Sequence, residues 1–339
     1  MCIEKLKINN WTNWHHIIHK HILHEENFIP KNINILIAVS GGQDSMALLT
    51  LMNDIKSQYG WSIFVWHGDH QWHKNSSRFA YELQEYCSKK NIPFYLDSAE
   101  DVDISSEEKA REWRYKTLCE NAEKIESTKI QKKETYLITG HTSTDSAETF
   151  LLNLARGSDF KGLGSIRKKS LLNSKYYLVR PILIFNRSET AEICKSMKIP
   201  TWEDPSNLDL KIRRNLIRKK VIPELEKIYP GCSKRINNLS EKMINYSNQQ
   251  TDLTRLALIS CSETNGVNRK KLNQLCHDAR ISILNALLID YCSKRLSSRN
   301  IKNLSLLILK ENNGKIDLPG KKIISWDKNY IRITSKLSC

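Results

Sequence analysis

The hexapeptide Ser40-Gly41-Gly42-Gln43-Asp44-Ser45 has the makings of a phosphate site. Its two glycines let the backbone come close to a phosphate, and Ser40, Ser45 and the amides at the start of a following helix can donate hydrogen bonds to it. Asp44 puts a carboxylate beside those phosphates, which is electrostatically sensible with a Mg2+ ion between them. A plain tight turn would need neither Asp44 nor the flanking serines. The loop is not the Gly-x-x-x-x-Gly-Lys-Ser pattern of P-loop nucleotide binders, which this chain lacks. A second pair, Asp145 and Glu148, stands at i, i+3, so both carboxylates can face one Mg2+ ion or one cationic substrate. The plainer alternative is that Asp145 only caps its helix. His67, His70 and His141 sit in neighbouring loops, and single histidines of this kind are more often structural.

A third feature is the segment Lys211–Val221, with six cations and no acid. Ile212, Leu216, Ile217 and Val221 recur at helical spacing, which predicts a core-facing stripe. Arg214, Arg218 and Lys219 then form an exposed ridge suited to nucleic-acid phosphates, with Arg213 or Asn215 turned inward. The alternative is a solvated basic helix without a partner.

The elements that must position these residues alternate. Strands are predicted at 32–38, 61–67, 93–96 and 135–139, and helices over the run from Met46 to Met52 and at 76–90, 105–125 and 145–156. Ser105 and Glu108 make a capping box at the third helix. This order predicts an α/β fold, a doubly wound parallel sheet whose loops at the strands' carboxyl ends share one crevice. After residue 185 the strand pattern fades. Helices are expected at 187–197, 216–228, 233–260, 281–295 and 300–310, with short strands over 314–333. Pro230-Gly231 is the expected division between a domain at 1–229, with a helical extension at 187–229, and a C-terminal region at 230–339.

Composition narrows the partners. Lys and Arg number 53 against 37 Asp and Glu, a formal charge of +16, which attracts polyanions, nucleic acid first among them. The nine cysteines form no Cys-x-x-Cys pair and no zinc-spaced cluster with His, so they are expected to be reduced thiols in a reducing compartment. No apolar run nears the ~18 residues that span a bilayer, and no secretory signal is expected at the N-terminus. An intracellular protein follows, in the cytoplasm or, if plastid-encoded, the plastid stroma. No protein partner is evident, and a homodimer stays open.

Several ordered motifs carry a family resemblance. Ser40 to Ser45 resembles the PP-loop of ATP pyrophosphatases. Ala110-Arg111-Glu112-Trp113-Arg114-Tyr115, Gly140-His141 through Ala147-Glu148-Thr149, and Leu154-Ala155-Arg156-Gly157-Ser158 follow it. Arg180-Pro181-Ile182, Trp202-Glu203-Asp204-Pro205-Ser206-Asn207 and Arg213-Arg214-Asn215-Leu216-Ile217-Arg218 complete the series. Over residues 33 to about 228 the chain resembles the tRNA(Ile)-lysidine synthetases; its tail, with Leu318-Pro319-Gly320 and Ile331-Arg332-Ile333, is weakly similar to their C-terminal substrate-binding region. The resemblance implies a carbon–nitrogen ligase that uses ATP, with Mg2+, to join free L-lysine to the wobble cytidine of tRNA(Ile) with a CAU anticodon. It implies that ATP meets Ser40, Gly41, Gly42, Gln43, Asp44, Ser45 and His141. It further implies that Asp44, Asp145, Glu148, Arg111 and Arg114 serve catalysis, with Asp44 and Asp145 on Mg2+ and the two arginines on the α-phosphate. Arg213, Arg214, Asn215, Arg218 and Lys219 would grip the tRNA. The sequence departs once: where the family has two adjacent acids before Ala-Glu-Thr, this chain has Thr144 and then Asp145. A PP-loop enzyme that thiolates a tRNA base remains an alternative, although that chemistry calls for paired cysteines or an iron–sulfur cluster. PP-loop amide ligases for small metabolites are another, with nothing in them to explain a charge of +16. A non-catalytic RNA-binding protein with a decayed ATP site is the last.

Overall fold

The computed structural model describes residues 11–71, 76–99, 106–128, 133–164, 166–202, 209, 211–292, 296–310 and 313–335. Two compact units divide between Ile244 and Asn245. In the first, α1 (Asn13–His24) precedes β1 (Asn34–Ala38), α2 (Gln43–Tyr59), β2 (Ser62–Asp69), α3 (Ser76–Lys89) and β3 (Phe94–Ser98). Then come α4 (Glu107–Thr128), β4 (Thr135–Thr139), α5 (Ser143–Ala155), α6 (Phe160–Leu163) and a hairpin of β5 (Lys169–Leu172) and β6 (Tyr176–Val179). A 3-10 turn (Pro181–Ile184), α7 (Arg187–Ser196), α8 (Arg213–Leu216), a π-helical turn (Ile217–Val221) and α9 (Ile222–Ile228) lead into α10 (Cys232–Cys261).

The sheet order is β3-β2-β1-β4-β6-β5. β1 pairs in parallel with both β2 and β4, so the chain steps outward on one side and returns on the other. Ligands of open α/β sheets bind at the carboxyl ends of strands where the order reverses in this way. Side chains alternate across the pleat: Ile35 and Ile37 of β1 join a core with Ile18, Leu48, Met52 and Ile193, while Leu36 joins the other with Trp66, Trp113 and Leu118. Helices thus cover both faces, and four sheet pairings are parallel. The antiparallel β5–β6 hairpin is an addition that the strand pattern did not disclose.

Pro230-Gly231 marks the start of α10 rather than a gap between units. Glu226 accepts hydrogen bonds from the amides of Gly231 (2.6 Å) and Ser233 (2.8 Å), and Ser240 and Glu241 of α10 bond to Leu163 and Lys168. The second unit has its own antiparallel sheet, ordered β7-β8-β11-β10-β9, from β7 (Ser262–Glu263), β8 (Gly266–Asn268), β9 (Gly314–Leu318), β10 (Lys322–Trp326) and β11 (Tyr330–Ser335). α11 (Arg269–Asn273), α12 (His277–Tyr291) and α13 (Ser298–Lys310) accompany it, around a core of Leu272, Leu284, Leu304, Ile308, Ile324 and Trp326. Among the described residues no helix is long and apolar enough to cross a membrane.

Candidate nucleotide and carboxylate site

The loop after β1 is shaped by its own side chains. Gly41 has φ +86°, a left-handed conformation that glycine adopts without strain, and a Cβ there would lie 3.1 Å from the Trp202 ring. Trp202 also donates its backbone amide to the Gly41 carbonyl (2.9 Å), and its indole N–H bonds Glu82 on α3. Ser45 is buried: its hydroxyl donates to the Gly42 carbonyl (2.9 Å) and accepts from the Ser40 amide (3.2 Å). It therefore braces the turn, while Ser40 is exposed at the open side. The side chain of Gln43 is committed to α7, donating to the Arg187 carbonyl (2.7 Å) and Thr190 Oγ1 (3.0 Å).

Gly140 brings the β4–α5 loop against this one. A Cβ at Gly140 would lie 3.0 Å from Ser45 Cα and 3.2 Å from the Asp44 carbonyl carbon, so only glycine permits the approach. The approach brings Asp44 and Asp145 near enough at the switch point for their charges to interact. Burial, followed by the Asp145 charge, raises the Asp44 pKa against the pull of Arg187 and Thr190. Asp44 accepts from Thr190 Oγ1 and lies 3.2 Å from Arg187 Nη1.

Asp145 both caps its helix and faces the crevice. Its Oδ2 accepts from the Thr142 amide (2.8 Å) and hydroxyl (2.9 Å), which closes a capping box. Its Oδ1 meets Arg214 Nη2 (3.3 Å) and Arg218 Nη2 (3.1 Å). Burial opposes its charge, but Arg214, His141 and Arg218 outweigh burial and hold its pKa at about 2. Glu148, with no exposed surface, takes Arg214 Nε (2.8 Å) on one oxygen and Arg218 Nε (2.5 Å) on the other.

These contacts overturn the expected orientation of the 211–221 segment. Arg214 and Arg218 do not form an exposed ridge; they turn inward onto Asp145 and Glu148. Ile212, Leu216 and Val221, expected to face the core, are 42%, 43% and 40% exposed. Two buried carboxylates without counterions would cost more than an apolar stripe could return. The π turn at Ile217–Val221 also shifts the helical phase on which that stripe was reckoned. Asn215 is buried, as one of the two inward candidates, while Arg213 is exposed and Lys219 half-buried.

Of the arginines on α4, Arg114 is half-buried beside this cluster, and burial lowers its pKa. Arg111 is exposed, its guanidinium 5.0 Å above the Tyr115 ring. His141 Nδ1 lies 2.9 Å from Thr139 Oγ1, and burial with the Arg180 charge pushes its pKa down to about 3, leaving a neutral imidazole. His67 is buried against the Val39 carbonyl (2.7 Å), a structural role. Arg187 and Thr190 were missed by sequence reasoning. The available signal was Asn186-x-x-Glu189, a capping-box spacing that fixes the start of α7 next to them. Residues 203–207 of the Trp202 motif, and the expected cap Ser105, lie outside the described residues.

A family model for the PP-loop domain matches residues 14–225. The chain is 55% identical to the tRNA(Ile)-lysidine synthase of Prochlorococcus marinus subsp. pastoris, over 96% of each chain. It is 30% identical to the chloroplastic tRNA(Ile)-lysidine synthase of Pyropia yezoensis, over 94% of each. Among solved structures, the U34-tRNA thiolase NcsA of Methanococcus maripaludis aligns with a TM-score of 0.56 at 16% identity, covering 68% of this chain and 77% of that one, a likeness of fold. With the glycine-shaped loop, the interacting carboxylates and near full-length identity in agreement, the chain belongs to the tRNA(Ile)-lysidine synthase family of PP-loop enzymes.

Proposed function

We propose that the chain ligates lysine to C2 of the wobble cytidine in the CAU anticodon of tRNA(Ile), through an adenylylated cytidine, converting decoding from AUG to AUA. The observation that carries this reading is the meeting of the PP-loop with the Asp145–Glu148 helix at the switch point, in a chain 55% identical to a lysidine synthase.

Cytosine O2 is a poor leaving group, which explains the need for ATP. O2 attacks the α-phosphorus, the bond to the bridging oxygen breaks, and pyrophosphate departs with the electron pair. The lysine ε-amine then adds at C2 and AMP leaves with O2. Amides at the start of α2 suit the phosphates, and Arg114, on the α4 side, suits the α-phosphate. Glu148 and Asp145 already hold two guanidinium groups, so their chemistry also suits the ammonium of lysine. The wobble base must leave its stack to reach such a crevice.

Asp44 and Asp145 fit Mg2+ by the chemistry of the donor set: they are two hard carboxylate oxygen donors, and the charge of Asp145 adds to burial in raising the Asp44 pKa. When bound, Mg2+ would neutralise developing phosphate charge. The exposed cations Lys211, Arg213 and Lys220 support a role for this segment in holding tRNA phosphates. With Arg214 and Arg218 occupied inside, those cations carry more of the expected grip.

The test is incubation with ATP, Mg2+, labelled lysine and total tRNA, followed by nucleoside analysis. Lysidine should form, with one AMP and one pyrophosphate per lysine incorporated. Release of ADP and phosphate, or incorporation of sulfur, would rule the reading out.

A further inference from the structure

The PP-loop lacks a cation of its own. No Lys or Arg occurs between Lys31 and Lys56, which covers β1, the loop and α2 up to its last turn. P-loop proteins place a lysine in the loop to meet the β- and γ-phosphates. Here the pyrophosphate leaving from the α-phosphorus needs positive charge from another element.

Arg187, at the first position of α7, is built to supply it. Its main chain is fixed at both ends: its amide donates to Thr144 Oγ1 (3.1 Å), and its carbonyl accepts from Gln43 Nε2 (2.7 Å). Its guanidinium, by contrast, has one ionic contact among the described residues, Nη1 to Asp44 Oδ2 at 3.2 Å, and the side chain is 36% exposed. The base is anchored to two elements of the site, while the head is held by a single bond. Asp44 itself retains Thr190 Oγ1 as a second donor, so it does not depend on Arg187 for hydrogen bonding.

We propose that Arg187 is a catalytic residue that binds the departing pyrophosphate, exchanging its contact with Asp44 for one with the β/γ-phosphates when nucleotide binds. In the step it serves, a bond forms between cytidine O2 and the α-phosphorus. The bond from that phosphorus to the bridging oxygen breaks, and the electron pair stays on pyrophosphate, whose added charge the guanidinium meets with up to five N–H donors. Asp44 is a residue that would hold Mg2+, and the positive charge supplied there would favour the exchange. Thr144, where the family has an acid, fits this arrangement, since a hydroxyl accepts the Arg187 amide without adding another negative charge beside the phosphates.

The inference rests on the proposed ligase reaction, and the experiment separates the two. Full-length wild type, Arg187→Ala, Arg187→Gln and Arg187→Lys are titrated calorimetrically with magnesium pyrophosphate alone, then assayed for lysidine formation and tRNA binding. Loss of a charge-assisted contact should weaken pyrophosphate binding about 10-fold to 100-fold in the Ala and Gln variants. The adenylylation rate should fall by about 100-fold to 1,000-fold, with tRNA affinity unchanged. Arg187→Lys should recover much of the pyrophosphate affinity, as a point charge can replace part of a fork. The Ala and Gln variants should melt below wild type, because Asp44 loses its counterion, while Arg187→Lys, which keeps a charge there, should melt closer to it and so separates lost pyrophosphate binding from lost stability. Unchanged or tighter pyrophosphate binding in Ala and Gln would reduce Arg187 to a counterion of Asp44 and overturn the proposal. If wild type makes no lysidine while the variants still lose pyrophosphate, the ligase reading fails and the role of Arg187 stands.

Discussion

Glu148→Ala tests whether the inward arginines are held by charge. The substitution leaves Arg214 and Arg218, with side chains 24% and 16% exposed, sharing Asp145, whose Oδ2 is already committed to the Thr142 cap. Breaking a buried pair by removing one partner costs about 3–5 kcal/mol, because the other charge stays desolvated. For a unit of this size that is a fall of roughly 6–20 °C in melting temperature. Adding Arg218→Met removes the stranded charge, so the double variant should recover at least half of the loss. A double-mutant cycle should then give a coupling of about 2 kcal/mol or more. Circular dichroism melts and urea titrations of the four proteins supply every corner of the cycle. A Glu148→Ala protein that melts within about 2 °C of wild type, well under the range worked above, would refute the reasoning. It would mean that water or a rotamer change relieves the arginines at little cost. The same result bears on catalysis: inactivity of Glu148→Ala speaks to chemistry only when the folded fraction has been measured.

Three further outcomes follow from the geometry. Asp44→Ala should abolish adenylate formation while leaving tRNA binding nearly intact, read by pyrophosphate release and a filter-binding assay; wild-type turnover would make the loop structural. Glu226 meets burial that opposes its charge, but the Ser233 hydroxyl and the amides of Ser233, Gly231 and Cys232 lower its pKa below the ordinary carboxylate value. A depressed folded pKa gives stability that is present above the ordinary value and lost as pH falls through the folded one. The stability gap between wild type and Glu226→Gln should therefore shrink on going from neutral pH to acid, and a gap independent of pH would contradict the capping role. Neutralising Lys211, Arg213 and Lys220 together should lower the salt slope of tRNA binding by roughly 0.7–0.9 per lost phosphate contact, without changing which base is modified. An unchanged slope would place the grip elsewhere.

Much of the sheet was legible because strong local signals agreed with tertiary demands. β4 falls on 135–139 as expected, and the Gly41-Gly42 turn joins a strand to a helix. The β5–β6 hairpin was not legible: its strands have four residues each, and its turn, Asn173-Ser174 with φ 48° and 56°, lacks the glycine that usually announces it. α1 was hidden by its histidines, since within it only His15, Ile18 and Ile22 are buried. The fate of Arg214 and Arg218 could not be read locally at all. Apolar periodicity assigns faces on the assumption that the core is apolar, whereas this helix packs against two carboxylates more than 60 residues earlier in the sequence. The loop motif was legible for the opposite reason: Gly41 and Asp44 answer to constraints within the same short turn.

That contrast points to a division of labour along the chain. The sheet half of the first unit contributes backbone amides and the carboxylates Asp44, Asp145 and Glu148, a set that repels both phosphate and itself. The cations that make the set tolerable, Arg187, Arg214 and Arg218, all come from helices that follow the last strand of the sheet. A PP-loop sheet without that extension would leave its acids without these counterions, so the extension is part of the site and not an appendage. Each arginine also occupies a position that a cationic or phosphorylated substrate would contest. These pairs balance the buried acids within the protein itself. The 53 Lys and Arg then have two uses: an inner set is committed to the protein's own acids, and the excess of 16 over the acids is left for the polyanion.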